Sequence, residues 1–215
     1  MAGTVTSTLT GECSACGATR LSAAVCVDCG AIFEIPTDAF VLFGLARSWA
    51  VDAAALEERY TALSRAIREK SAAREELRER AAEATTALDR ARLRLLDPIE
   101  RAQYLLTAYG GSEREKPLRK REFQSEIMEF NRSATKARED GDPARLGGIV
   151  IEAEEKLASA IMAAGQSFTR LERSLVEEVS AAADALAEAR FWRRKVDELR
   201  AFGRGGRDAT GGRES

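Results

Sequence analysis

Four cysteines and no histidine set the metal chemistry open to this chain. All four thiols lie in Cys13-Ser-Ala-Cys16 and Cys26-Val-Asp-Cys29, and the second cysteine of each pair is followed by a glycine, Gly17 or Gly30. A two-residue spacer turns both sulfurs of a pair toward one ion, and glycine supplies the positive φ of the tight turn. Nine residues separate the pairs, fewer than in the usual ribbon, so the module reads as a short hairpin over residues 11–36. Two disulfides fit the same count. Nothing resembling a signal peptide precedes Cys13, which favours a reducing compartment, and a thioredoxin-like site would need a βαβ context that the sequence lacks. The expected cofactor is structural zinc on Cys13, Cys16, Cys26 and Cys29.

Beyond the cysteines, 33 basic residues face 35 acidic ones. A net charge of −2 creates no field toward nucleic acid or anionic lipid. Ala, Glu, Arg and Leu dominate after residue 37 and β-branched residues are sparse, which predicts an all-α body behind the metal hairpin. No stretch reaches transmembrane length, and the expected location is cytoplasmic. Residues 1–10 and 203–215 read as disordered tails.

Pro36, Thr37 and Asp38 close the metal module, and Thr37 or Asp38 can cap a short helix through Phe40 and Leu42. Asp52 caps a helix whose apolar residues Leu56, Tyr60, Leu63 and Ile67 form one stripe. A second stripe runs from Leu77 through Ala81, Ala84, Leu88 and Ala91 to Leu95. No Gly or Pro separates the stripes, so one long helix competes with a hairpin. Their phase decides: Ile67 to Leu77 leaves the stripes roughly 80° out of register on a straight helix. A hairpin with its turn near Arg68 to Ala73 points both inward. After Asp97-Pro98, further helices carry Leu105 and Leu106, then Phe123, Ile127 and Phe130 as core, then Ile151, Leu157 and Ile161. A break at Gly165-Gln-Ser and a last long helix from Leu171 to Leu199 complete an antiparallel three-helix bundle.

Phe40-Val-Leu-Phe-Gly-Leu45, the helical hairpin, and Leu96-Asp97-Pro98-Ile99-Glu100-Arg101-Ala102-Gln103-Tyr104-Leu105-Leu106 together resemble HscB, the J-domain co-chaperone family of iron–sulfur cluster biogenesis. The resemblance covers roughly residues 38 to 202. It implies a zinc hairpin (11–36), a J-domain-like segment (37–112) and an HscB-like C-terminal three-helix bundle (113–202). Eukaryotic members of the family are similar to this chain in carrying paired Cys-x-x-Cys knuckles ahead of the J-domain. The family brings an IscU-type scaffold to a DnaK-type chaperone and stimulates its ATPase through a His-Pro-Asp turn. Here those positions fall on Arg68, Glu69 and Lys70, beside Arg65, which gives helix formers and a reversed charge at the third site. The resemblance thus implies impaired stimulation. It also implies a scaffold-binding patch of Gln124, Ser125, Met128, Glu129 and Arg132 with Phe191, inside Arg190-Phe-Trp-Arg-Arg.

Other features read more plainly. Met128 stands one step off the Phe123–Ile127–Phe130 stripe, where a half-exposed binding role and core filling fit equally, and of two adjacent aromatics Trp192 is expected inside and Phe191 outside. Arg59, Arg65, Arg68, Lys70 and Arg74 form a basic helix face, balanced by Glu57, Glu58, Glu69, Glu75 and Glu76 as on an ordinary solvated surface. Residues 11–35 hold only Arg20 as a base, too few cations for phosphate contacts. Acidic pairs lie on helix surfaces without histidine or pocket, and no enzyme is expected. The alternative function is a non-enzymatic, zinc-containing interaction scaffold whose J-like hairpin is only structural.

Overall fold

A computed structural model describes residues 11–71, 77–111, 121–173 and 178–208. The body is all-α, as expected, with helices α1 (Ala39–Phe43), α2 (Ala53–Ser71), α3 (Arg78–Leu96), α4 (Pro98–Ala108), α5 (Arg121–Glu139), α6 (Pro143–Leu171) and α7 (Val179–Asp208). The chain divides into two compact units between Leu105 and Leu106, inside α4. Among the described residues no helix is long and apolar enough to cross a membrane.

In the first unit, Asp38 rather than Thr37 caps α1, its carboxylate accepting from the amides of Phe40 (2.8 Å) and Val41 (3.1 Å). Arg47 pairs with the other carboxylate oxygen. Gly44 ends the helix at φ +62°, where a left-handed residue is required. Helices α2 and α3 form the hairpin rather than one long helix. Tyr60 Oη donates to Asp89 (2.6 Å) and Arg92 forks onto Glu57 (2.8 and 2.9 Å), a pairing that runs antiparallel. Leu56, Leu63 and Ile67 from one stripe and Ala84, Leu88 and Leu95 from the other are buried with Phe40 and Phe43. Each large side chain so removed from water contributes about 1.5–3 kcal/mol.

Helix α2 runs further than expected. Arg68, Glu69 and Lys70 belong to its last turn, which reaches Ser71, and α3 begins at Arg78; Ala73 and Arg74 lie outside the described residues. Without a breaker residue the helix continues until tertiary packing ends it.

The Asp97–Leu106 motif proves architectural. Asp97 caps α4 through the amides of Ile99 and Glu100. Arg101 bonds the carbonyl of Leu95 and lies over Trp49, 4.8 Å from the ring centroid. Tyr104 packs against Phe40 at 5.8 Å, its phenol shifted upward by burial and by its hydrogen bond to Asp38.

The second unit is an up-down-up bundle. Asp142 caps α6. Glu126 of α5 meets Lys156 of α6, while Asp140 meets Arg145, so α5 and α6 run antiparallel. Arg170 pairs with Glu178 and Glu154 with Arg200, which sets α7 antiparallel to α6. The break expected at Gly165 is absent: α6 runs through it to Leu171, which therefore belongs to α6 and not to α7. A glycine inside a helix costs about 1 kcal/mol, less than the burial of Phe168 and Leu171 beyond it returns. Leu175 lies outside the described residues. At the other end α7 continues past Gly203, where the tail was expected to start, to Asp208. Residues 1–10 and 209–215 lie outside the described residues.

Candidate metal centre and partner-binding faces

The two knuckles are built alike. The Gly17 amide donates to Cys13 O and the Gly30 amide to Cys26 O, both at 2.8 Å, with the glycines at φ +76° and +68°. Cys13 N returns to Ala18 O (2.8 Å) and Cys26 N to Ala31 O (3.0 Å). Isolated antiparallel bridges, Glu12 with Thr19 and Val25 with Ile32, close each loop. The sulfurs converge: Cys13 and Cys29 are 3.6 Å apart, Cys16 and Cys26 3.8 Å, and all four lie within 4.8 Å of one another. A tetrahedral ion with sulfur ligands at ~2.3 Å has sulfur–sulfur edges of about 3.8 Å, whereas a disulfide bond is about 2.05 Å long. The thiols are free, and their spacing fits a tetrathiolate metal site. Burial pushes the Cys13 thiol up, but the amides of Ala15 and Cys16 outweigh it and bring the group down to about 7. The Ala18 amide favours ionisation of Cys16, yet neighbouring Cys29 and burial push it up to about 12. Burial also raises Cys26. The Cys13 thiolate forms readily; a divalent cation would supply the charge that favours ionisation of Cys16 and Cys26.

The metal hairpin is fastened to the helical hairpin. Buried Ser22 donates to Leu42 O (2.6 Å) and accepts from Ala24 N (3.1 Å). Arg80 of α3 donates to Ile32 O (2.9 Å). Gly30 lies so close to the last turn of α2 that an added Cβ would overlap Lys70 Cβ and Cγ and stand 3.0 Å from Ala66 O. Arg20, the single base of the hairpin, lies over Phe33 (4.5 Å to the centroid) and reaches Ala23 O.

Of the residues at the degenerate chaperone-facing site, Arg65, Arg68, Glu69 and Lys70 are all exposed, on intact helix. The basic face is narrower than expected. Arg59 turns inward and donates to Phe43 O (2.7 Å) and Gly44 O (3.0 Å), closing the C-terminal end of α1. Arg65, Arg68 and Lys70 remain on the outer side.

In the bundle, Gln124, Ser125, Met128, Glu129 and Arg132 share the outer face of α5 and are exposed, Met128 at 65%. Phe191 of α7 is half-buried, edge-on to Phe123 at 5.6 Å. Trp192 is buried against Phe130 (5.0 Å) and Phe123 (6.1 Å), as expected, whereas Phe191, expected outside, is half-buried because its ring also packs on Phe123. Ile127 is only half-buried, unlike Phe123 and Phe130, because α6 and α7 cover α5 along a narrower stripe than its apolar residues span.

Arg138 of α5 and Lys195 of α7 both pair with Glu198, at 3.2 and 3.0 Å, and the carboxyl is held below its usual range first by Lys195 and then by Arg138. Arg138 lies over Phe202 (5.1 Å) and Lys195 over Phe191 (5.8 Å). Lys195 and Glu198 are neighbours three residues apart on α7, but only long-range packing brings Arg138 to them.

No family model matches the chain. Among curated proteins it is similar to the co-chaperone protein HscB homolog of Shewanella halifaxensis (strain HAW-EB4), 33% identical over 168 residues, covering 74% of this chain and 93% of that protein. Among solved structures it is similar to human co-chaperone protein HscB, with a TM-score of 0.70 and 23% identity over 89% of this chain and 98% of that one. Chaperone HscB from Vibrio cholerae gives a TM-score of 0.61 and 25% identity over 77% and 97%.

Proposed function

The chain belongs to the HscB co-chaperone family, and from that premise we propose that it acts as a co-chaperone or adaptor in iron–sulfur cluster protein assembly. The observation that carries the reading is the outer face of α5, where exposed Met128 stands among Gln124, Ser125, Glu129 and Arg132; half-buried Phe191 of α7 is the remaining member of the proposed patch. An apolar anchor inside a polar rim is the arrangement by which a helix face holds a protein partner. That partner is an IscU-type cluster scaffold. Zinc fills the tetrathiolate of Cys13, Cys16, Cys26 and Cys29, and its part is to hold about 25 residues that cannot build a core alone.

The J-like hairpin engages a DnaK-type chaperone weakly. Arg68, Glu69 and Lys70 continue α2 as ordinary helix, so there is neither a proline-set loop nor an acid at the third position. The same intact helix favours a second reading, an interaction scaffold whose J-like hairpin is only structural. Affinity capture of the full chain from its native cell, with mass spectrometry, separates the two. Recovery of an IscU-type scaffold with a DnaK-type chaperone supports the co-chaperone reading. Recovery of neither overturns it.

A further inference from the structure

Between α5 and α7 lies a cavity of about 230 Å³ whose floor is Phe130 and Leu199 and whose polar wall is Asn131, Thr135, Arg138, Lys195 and Glu198. Its hydrogen-bonding capacity is unbalanced. A guanidinium offers five N–H donors and an ammonium three, while the wall contains a single carboxylate. Arg138 reaches Glu198 through Nη2, but its Nε is buried and has no acceptor. A buried donor without a partner costs free energy that an incoming acceptor recovers. The two cations are held in place from behind by aromatic faces, Phe202 under Arg138 and Phe191 under Lys195. The cavity is thus built before any ligand arrives.

Asn131 and Thr135 also line a larger open groove of about 670 Å³ along α5, together with Met128, Arg132 and Lys136. Cavity and groove share a wall, so the cavity opens beside the face that carries Met128.

We propose that this cavity is a carboxylate subsite of the partner-binding surface, receiving an aspartate or glutamate side chain of the protein whose apolar residue docks on Met128. The partner's carboxylate meets the Arg138 guanidinium and Lys195 Nζ and competes with Glu198 for both cations. Glu198 is therefore an internal competitor that occupies the donors while the surface is free. The acids on the rim, Glu139, Asp140 and Glu198, disfavour a polyanion such as nucleic acid, whereas a single carboxylate meets a local excess of donors. The identity of the partner rests on the co-chaperone reading; the chemistry of the cavity does not.

Two measurements on the full chain test the proposal. In the first, sodium acetate is titrated against sodium chloride at constant ionic strength while the side-chain Nε–H resonances of the arginines are followed. A saturable acetate shift at Arg138 is expected, absent with chloride and lost in Lys195→Met. Glu198→Gln should raise acetate affinity by roughly tenfold, the worth of one charge-assisted hydrogen bond. A shift no different from that of surface Arg170 overturns the subsite. In the second, binding to a purified IscU-type scaffold is measured by calorimetry. Lys195→Met should weaken it about tenfold and Glu198→Gln should tighten it, a gain that a merely structural role for Glu198 does not produce. Unchanged affinity in both variants overturns use of the cavity by that partner. Saturable acetate binding without any scaffold binding leaves the subsite standing and removes the scaffold as its partner.

Discussion

The contact between Gly30 and α2 makes a quantitative prediction, because the two knuckle glycines differ in only one respect. Gly17 and Gly30 hold nearly the same left-handed conformation, φ +76° and +68°. Alanine at either costs about 1–2 kcal/mol for the conformation alone. A Cβ at Gly17 meets nothing within 4 Å, whereas at Gly30 it overlaps the Lys70 stem and stands 3.0 Å from Ala66 O. Lys70 Cβ and the Ala66 carbonyl are tied to the helix backbone and cannot swing aside, so overpacking adds about 1–3 kcal/mol for Gly30→Ala. At about 4 °C per kcal/mol for a unit of this size, Gly30→Ala should melt about 4–12 °C below Gly17→Ala. The assay is thermal unfolding followed by ellipticity, with the metal content of both variants checked to be equal. Lys70→Ala removes Cγ but keeps Cβ, so in a double-mutant cycle it should restore part of the loss and not all. Equal melting of the two alanine variants would refute the argument that the second knuckle presses on the last turn of α2.

Three further outcomes are expected. Cys26→Ser should lose its metal to a chelator that leaves the native chain loaded, read by elemental analysis; amide exchange at Ile67 to Lys70 should quicken with it, because the hairpin packed there is no longer held. Asp38 resists protonation: burial works against its charge, but the Val41 amide, Arg47 and Tyr104 outweigh it and lower its pKa from 3.8. A depressed folded value gives stability present above the ordinary value and lost as pH falls through the folded one, so Asp38→Asn should flatten the loss of melting temperature below about pH 4. Arg101→Lys keeps the charge but loses the planar stack on Trp49, and should destabilise the first unit by about 1 kcal/mol while altering Trp49 fluorescence.

Much of the architecture was legible because local chemistry specified it. Asp38 and Asp52 each cap the helix that begins beside them, since a short carboxylate reaches two free amides from that position. The hairpin followed from the phase of two stripes. What local chemistry does not specify was misjudged. The end of α2, the passage of α6 through Gly165 and the extension of α7 beyond Gly203 depend on what each helix packs against, and propensity is too weak to decide them. Arg59 looked like a surface cation until α1 placed two open carbonyls within its reach. At the candidate sites, Cys-x-x-Cys spacing specifies a cage, whereas Arg138 lies 60 residues from Glu198 and joins the Lys195–Glu198 pair of α7 only when the bundle closes.

The most direct test of the central claim, an HscB-family co-chaperone with a degraded chaperone contact, is the steady-state ATPase rate of a DnaK-type chaperone from the same cell. It is measured with the native chain and with the triple variant Arg68→His, Glu69→Pro, Lys70→Asp. Little stimulation by the native chain and clear stimulation by the variant are expected. Strong stimulation by the native chain would contradict it.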